Sequence, residues 1–354
     1  MFTGVKKMIE YKRKNFEPDF EKLLQVLRLE IPSRPVLFEF FMNDRIISKL
    51  SGNPKTRQDS RLALFERFVA AFKNGGYDYL TVSAWRTSTL AFPKKNKPQK
   101  KSHSLNLGNS INDWQSFDLY PWPDAEKGDY DLYYDLKKLL PDGMKLIASG
   151  NGGILENAID LVGFDNLSMM TMLDEILTTA IFDAIGSRLL RFYEIVSSID
   201  TVGACIVNDD WGFKNQTMFH PEMLRRWVFP WQKKIVHTVH SAGKPAILHS
   251  CGQLSEVMND IIDDMDFDAK HSFEDNIFPV EDAINLWGDK IAILGGIDMD
   301  FLARQSLEKI EERSLNLLQM QEEKGGYALG SGNSIPEYIP DENYLAMITT
   351  VNKM

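Results

Sequence analysis

The chemistry-bearing stretch of this chain is Lys244-Pro-Ala-Ile-Leu-His-Ser-Cys-Gly-Gln253. A short apolar run, Ala246-Ile247-Leu248, reads as a buried strand, and His249, one spacer and Cys251 follow at once. The chain has 6 His and 2 Cys in 354 residues, so one of each at this spacing is not a composition effect. An imidazole nitrogen and a thiolate two residues apart can reach one metal ion, and a strand end holds them more rigidly than a loop. A single pair is half of a tetrahedral site, so a small buried thiol beside a hydrogen-bonded histidine stands as the other reading.

The elements that position this pair are short apolar runs separated by helical stretches. The runs are Val36–Phe41, Tyr79–Ser83, Met144–Ala148, Gly203–Val207, Ala246–Leu248, Phe267–His271, Ile291–Leu294 and Tyr327–Leu329. Helical segments fall between them. Pro221 opens one that runs to about Ala242 and that Pro230 should kink. Alternation of this kind implies a parallel sheet, and eight units imply a single (β/α)8 TIM barrel of α/β class. Residues 1–30 read as an N-terminal helical extension, a lid or first packing helix, ahead of a barrel over 31–354. Cys205 falls within a core strand.

A barrel concentrates its chemistry where the strands end. Asn43 and Asp44, Trp85 and Arg86, Asn151, Asn208, Asp209 and Asp210, His249 and Cys251, His271 and Glu274, Asp298, and Ser331 and Asn333 all fall there. Helix capping accounts for some of them, Asp44 and Ser331 first. The set together reads as a catalytic cup with adjacent carboxylates and a metal. The glycines of Ser149-Gly-Asn-Gly-Gly153 fit either a backbone approach to a ligand or a tight turn before a helix. The basic run Lys94–Lys101 reads as a solvated loop.

Composition narrows the partners. The net charge of −10 argues against a general nucleic-acid binder. No apolar run approaches the roughly 20 residues that span a bilayer. The N-terminus lacks the apolar core of a signal peptide, and the few cysteines fit a reducing compartment. A cytoplasmic protein is expected, with a homodimer as one open assembly.

His249-Ser-Cys-Gly252, Gly295-Gly-Ile-Asp298, Asn208-Asp-Asp-Trp-Gly212, the Pro221…Pro230 helix and Pro340-Asp-Glu-Asn343 resemble the uroporphyrinogen decarboxylase superfamily over roughly residues 18–354. That resemblance implies a (β/α)8 barrel. It offers two activities: decarboxylation of uroporphyrinogen without a cofactor, and methyl transfer between corrinoid carriers and thiols. True decarboxylases carry several arginines near the first strand and an aspartate after the second. Here Phe38–Arg45 holds one arginine, and Ser83-Ala-Trp-Arg86 holds no carboxylate.

The methyltransferase branch is the closer resemblance. It binds zinc through a His-x-Cys pair and a further Cys near the C-terminus, and the first two match His249 and Cys251. The last is replaced by Gly330-Ser-Gly-Asn-Ser334, so Glu274 or His271 is the expected substitute. On this resemblance the metal set is His249, Cys251 and Glu274. Catalytic roles fall to Asp209, Asp210, Glu274 and Asp298, and cofactor contacts to Trp85, Arg86, Asn151, Asn208, His271 and Asn333. No Asp-x-His-x-x-Gly motif is present, so the corrinoid would arrive on a separate carrier protein and meet a small-molecule substrate. A metal-free lyase and a non-catalytic tetrapyrrole binder are the other readings.

Overall fold

The computed structural model describes residues 16–53, 60–87, 89–94, 105–106 and 110–354, with the side chain of Trp85 outside them. Among the described residues the strands are β1 (Tyr79–Ser83), β2 (Lys145–Ser149), β3 (Val202–Asn208), β4 (Ala246–His249), β5 (Ala269–His271), β6 (Ala292–Leu294) and β7 (Tyr327–Ala328). Sheet order follows chain order from β1 to β7. The pairs β2–β3, β3–β4, β4–β5 and β6–β7 are parallel. Strand residues are buried almost throughout, as in a sheet covered on both faces. The architecture is α/β.

The expected eighth strand, Val36–Phe41, is not a regular strand. It makes isolated parallel bridges only, Leu37 with Leu329 and Met42 with Ile335. The cause lies at Glu39. Its backbone N–H donates to the Tyr79 hydroxyl (2.6 Å), and that hydroxyl donates back to the Glu39 carbonyl (2.9 Å). A side chain thus takes both ladder positions that a neighbouring strand would fill.

The chain divides into two compact units. The first comprises Met1–Leu80, Lys138–Lys145 and Ser272–Met354. Within it the helix Phe20–Leu27 is capped by Asp19 and buries Phe20, Leu23, Val26 and Leu27, so the expected first helix packs against the core. Residues 1–15 of that extension lie outside the described residues. The buried Asp78 receives the Arg34 guanidinium (3.1 Å) and the Asp19 backbone N–H (2.7 Å). Arg45 is fully engaged, donating to Asp341 (2.5 Å), Glu337 (3.3 Å) and the Ile339 carbonyl (2.6 Å).

The second unit comprises Thr81–Lys137 and Leu146–His271. Its long helices, Glu175–Ser197 and Phe229–Ser241, cover the strands with buried apolar stripes. Pro230 acts as expected. The segment begins as an α-helical turn at Pro221–Met223, widens to a π turn over Leu224–Val228, and resumes as Phe229–Ser241. Proline supplies no N–H to the carbonyl four residues back, and the wider turn accommodates that gap. The segment after β4 is helical without a break over 255–264, opening as a 3-10 turn at Ser255–Val257 and closing as a π turn at Asp260–Asp264. No helix among the described residues is long and apolar enough to cross a membrane.

Tyr79→Phe removes the hydroxyl and leaves both Glu39 backbone groups buried without a partner. The expected loss is about 1–3 kcal/mol. It would be read as a lower urea midpoint at unchanged m-value.

Candidate metal centre

Register builds the site in the second unit. Asn208 closes β3, His249 closes β4 and His271 closes β5; Asn208 pairs with His249, and His249 with His271. Paired residues in parallel strands project to the same face, so these side chains stand in a row at the strand ends. His249 Nδ1 lies 2.7 Å from His271 Nδ1, with the rings tilted by 37°. Only one hydrogen fits between the two nitrogens. Placed on His249, it makes that ring's Nε2 the unprotonated nitrogen, the one that can bind a metal. Burial holds His249 neutral and pushes its pKa down to about 3, with Lys270 adding to the effect. A neutral ring is the form that ligates a metal.

His249 Nε2 faces Cys251 Sγ at 3.9 Å. The third donor is Asp210, whose Oδ1 accepts the Cys251 backbone N–H at 2.8 Å. The ligand atoms of Asp210, His249 and Cys251 all lie within 4.8 Å of one another. Two glycines permit this approach. Gly252 has φ +84°, and a Cβ there would meet the Gly212 carbonyl oxygen at 2.2 Å. The Gly212 N–H in turn donates to the Cys251 carbonyl (3.2 Å), tying the two loops together. Cys251 and Asp210 are half-buried, so the cluster remains reachable.

The donor set suits zinc. Nitrogen at about 2.0 Å and sulfur at about 2.3 Å from a tetrahedral zinc stand about 3.6 Å apart, a few tenths of an ångström inside the distance seen here. Imidazole, thiolate and carboxylate are all zinc ligands, and three of them leave a coordination position for a substrate.

Asp209 and Asp210 are neighbours in sequence with different surroundings. Asp209 is fully buried and accepts the Leu155 and Glu156 N–H groups (3.1 and 3.0 Å) and the Gln232 amide (2.9 Å). It caps the helix Ile154–Val162 from the end of the adjoining strand β3. Gly153 makes room, since a Cβ there would lie 2.1 Å from the Asp209 carboxyl. The glycine-rich run is therefore a tight turn that receives an internal carboxyl. Burial still raises Asp209 to about 6. Glu156, half-buried, rises to about 8 through desolvation of its carboxyl and the charges of Asp210 and Asp209; it accepts the Gly153 N–H (2.9 Å) and the Asn208 amide (3.4 Å).

The other sequence candidates fall as follows. Asn151 offers its carbonyl to Asn157 (3.1 Å). Arg86 sits in the short helix Ala84–Thr87 after β1; the side chain of Trp85 lies outside the described residues. Asp298, Glu274 and Asn333 belong to the first unit. Asp298 accepts the N–H groups of Asp275, Asp300 and Phe301 (2.8–3.0 Å) and caps the helix Met299–Arg304. The Glu274 carbonyl closes a turn with Ile277 and Phe278. Asn333 Oδ1 accepts the Ser334 N–H (2.7 Å). Lys94, at the start of the basic run, pairs with Asp160, while residues 95–101 lie outside the described residues.

Two acids were not picked out by sequence reading. Glu156 stands three residues after Gly153, the spacing of a helix-start glutamate, which was its available signal. Glu39 was visible as a lone charge inside an apolar run. In the first unit it is wholly buried, with Oε1 2.8 Å from the Ser331 hydroxyl and no partner for Oε2 among the described residues. That hydroxyl also lies against the Asn333 carbonyl. One hydroxyl hydrogen cannot serve both acceptors. A proton on Glu39, donated to Ser331, frees the serine hydrogen for Asn333. Burial pushes Glu39 the same way, up to about 8.

Residues 76–354 match the sequence model of the uroporphyrinogen decarboxylase (URO-D) family. Among solved structures, a methyltransferase from Methanosarcina mazei superposes with a TM-score of 0.72 at 15% identity, over 95% of this chain and 99% of that one. At that identity the likeness is one of fold. A candidate vitamin-B12-independent methionine synthase from Listeria monocytogenes reaches a TM-score of 0.47 at 11% identity, over 91% and 99%, too low to carry an argument. No curated protein matches the chain.

The raised pKa of Glu39 has a readable consequence for stability. Its contribution is fully present below the ordinary carboxyl range and is lost as pH rises through about 8. Glu39→Gln should flatten that fall and be the more stable protein above it, as measured by urea denaturation across the window.

Proposed function

The chain belongs to the uroporphyrinogen decarboxylase family, and from that membership we propose a zinc-dependent methyltransferase that moves a methyl group from a corrinoid carrier protein to a thiol acceptor. Residues 31–354 would form the catalytic barrel and 1–30 its helical extension. The observation that carries the reading is the convergence of Asp210, His249 and Cys251 within 4.8 Å. Asp210 then takes the place for which Glu274 and His271 were the sequence candidates. The likeness in fold to the Methanosarcina mazei methyltransferase is compatible with this reading.

Zinc bound there would hold an acceptor thiol as thiolate at neutral pH. The chain's own residues prepare that position. His271 fixes the ring of His249 so that Nε2, not Nδ1, faces Cys251. Asp210 is aimed by the Cys251 backbone N–H. Asp209, next to Asp210 in the chain, holds the start of the helix Ile154–Val162 and so fixes the backbone that presents Asp210. Decarboxylation of a porphyrinogen has less support, because the single arginine of the first-strand region, Arg45, is spent on Asp341, Glu337 and Ile339.

Elemental analysis of protein purified under thiol-sparing conditions should find about one zinc per chain. Cys251→Ser and Asp210→Asn should each lose it. His271→Ala should weaken zinc binding about 10–100-fold, the usual effect of removing a group that orients a ligating histidine. Zinc-free wild-type protein with decarboxylase activity, retained in Cys251→Ser, would sink the proposal in favour of the lyase.

A further inference from the structure

Beside the metal donors, the second unit buries polar atoms that have no hydrogen-bond partner among the described residues. Ser83, Ser149 and Asn208 are the last residues of β1, β2 and β3, three consecutive strands of the sheet. The hydroxyls of Ser83 and Ser149 and the Oδ1 of Asn208 are buried and make no hydrogen bond among the described residues. Ser83 is 1% exposed and Ser149 0%. Ser149 pairs with Ile206, two residues before Asn208, and Asn208 pairs with His249. Alternation along β3 therefore puts Ser149, Asn208 and His249 on one face. An unmade hydrogen bond at a buried hydroxyl or amide is costly, and several at adjoining strand ends, in line with the metal donors, mark a place that a ligand completes.

We propose that Ser83, Ser149 and Asn208 form the recognition pocket for the polar end of the acceptor thiol, and that this end is a hydrogen-bond donor, a hydroxyl or an amine, not an anion. The inference rests on the methyltransferase reading and supplies its substrate class. Asn208 Oδ1 can only accept, since the amide nitrogen is already directed at Glu156 (3.4 Å). The serine hydroxyls accept as readily as they donate. Strands β1 to β5 end in Ser83, Ser149, Asn208, His249 and His271, so none ends in lysine or arginine. The carboxyls of Glu156 and Asp210 beside this row disfavour a sulfonate or carboxylate. Arg86, three residues past Ser83, and Lys270, whose charge acts on His249 and whose Nζ is directed at the Ser250 carbonyl (3.4 Å), are cations that could reverse the preference, and the anionic probe below reads their reach.

The test uses the full zinc-loaded protein and the series HS–CH2–CH2–X, with X hydroxyl, ammonium, methyl or sulfonate, titrated by calorimetry. Hydroxyl and ammonium thiols should bind about five- to tenfold more tightly than the methyl and sulfonate thiols. Ser149→Ala should reduce the hydroxyl advantage over methyl to about twofold or less, and Asn208→Asp should shift preference toward ammonium. Each variant is checked for unchanged zinc content, which separates a lost pocket from a lost fold. Sulfonate binding as tightly as hydroxyl, or a hydroxyl advantage unmoved in both variants, overturns the proposal. Should zinc be absent, the methyltransferase reading fails separately. The pocket is then read by saturation-transfer NMR on the metal-free protein with the same series: dependence of the hydroxyl probe's signal on Ser149 and Asn208 supports it, and independence overturns it.

Discussion

The bond between the Nδ1 atoms of His249 and His271 is the constraint from which the site follows. It exists because β4 and β5 end level with one another, so their terminal histidines face across a single register position. A buried imidazole that spends one nitrogen on a neighbour has one direction left for the other. Here that direction is occupied by the Cys251 sulfur and the Asp210 carboxyl. A slip of one residue in either strand would send one ring to the opposite face, and the remaining donors would no longer share a centre.

The carboxylates show how position divides labour among like groups. Asp209 and Asp210 are adjacent, yet the first is consumed by the start of the helix Ile154–Val162 and the second by the loop that carries Cys251. Asp298 repeats the first arrangement in the other unit. Acidic residues at strand ends thus do two jobs in this protein, holding helices in place and presenting oxygen at a half-buried cluster. Only the second leaves an oxygen for an incoming group.

Much of this was legible in sequence. Buried parallel strands read as apolar runs, so every run but one became a strand where it was expected. Val36–Phe41 failed because its ladder positions are taken by Tyr79, a residue some forty positions later that no local pattern connects to it. The His-x-Cys pair was legible because its spacing is local. Its third partner was not, because which of two adjacent aspartates meets Cys251 depends on how β3 and β4 are paired. The proton on Glu39 was beyond sequence for the same reason: it follows from a serine 292 positions away that has one hydrogen and two acceptors.

The π turn at Leu224–Val228 sets the phase of the helix behind it. Such a turn is equivalent to one extra residue threaded into an α-helix, and one residue is about 100° of rotation. Gln232 reaches Asp209 only because that rotation has been applied. Excising a single residue from the bulge would straighten the spiral while swinging the glutamine a quarter-turn or more out of the core. The longest lever on the site is therefore a matter of chain length, not of side-chain identity.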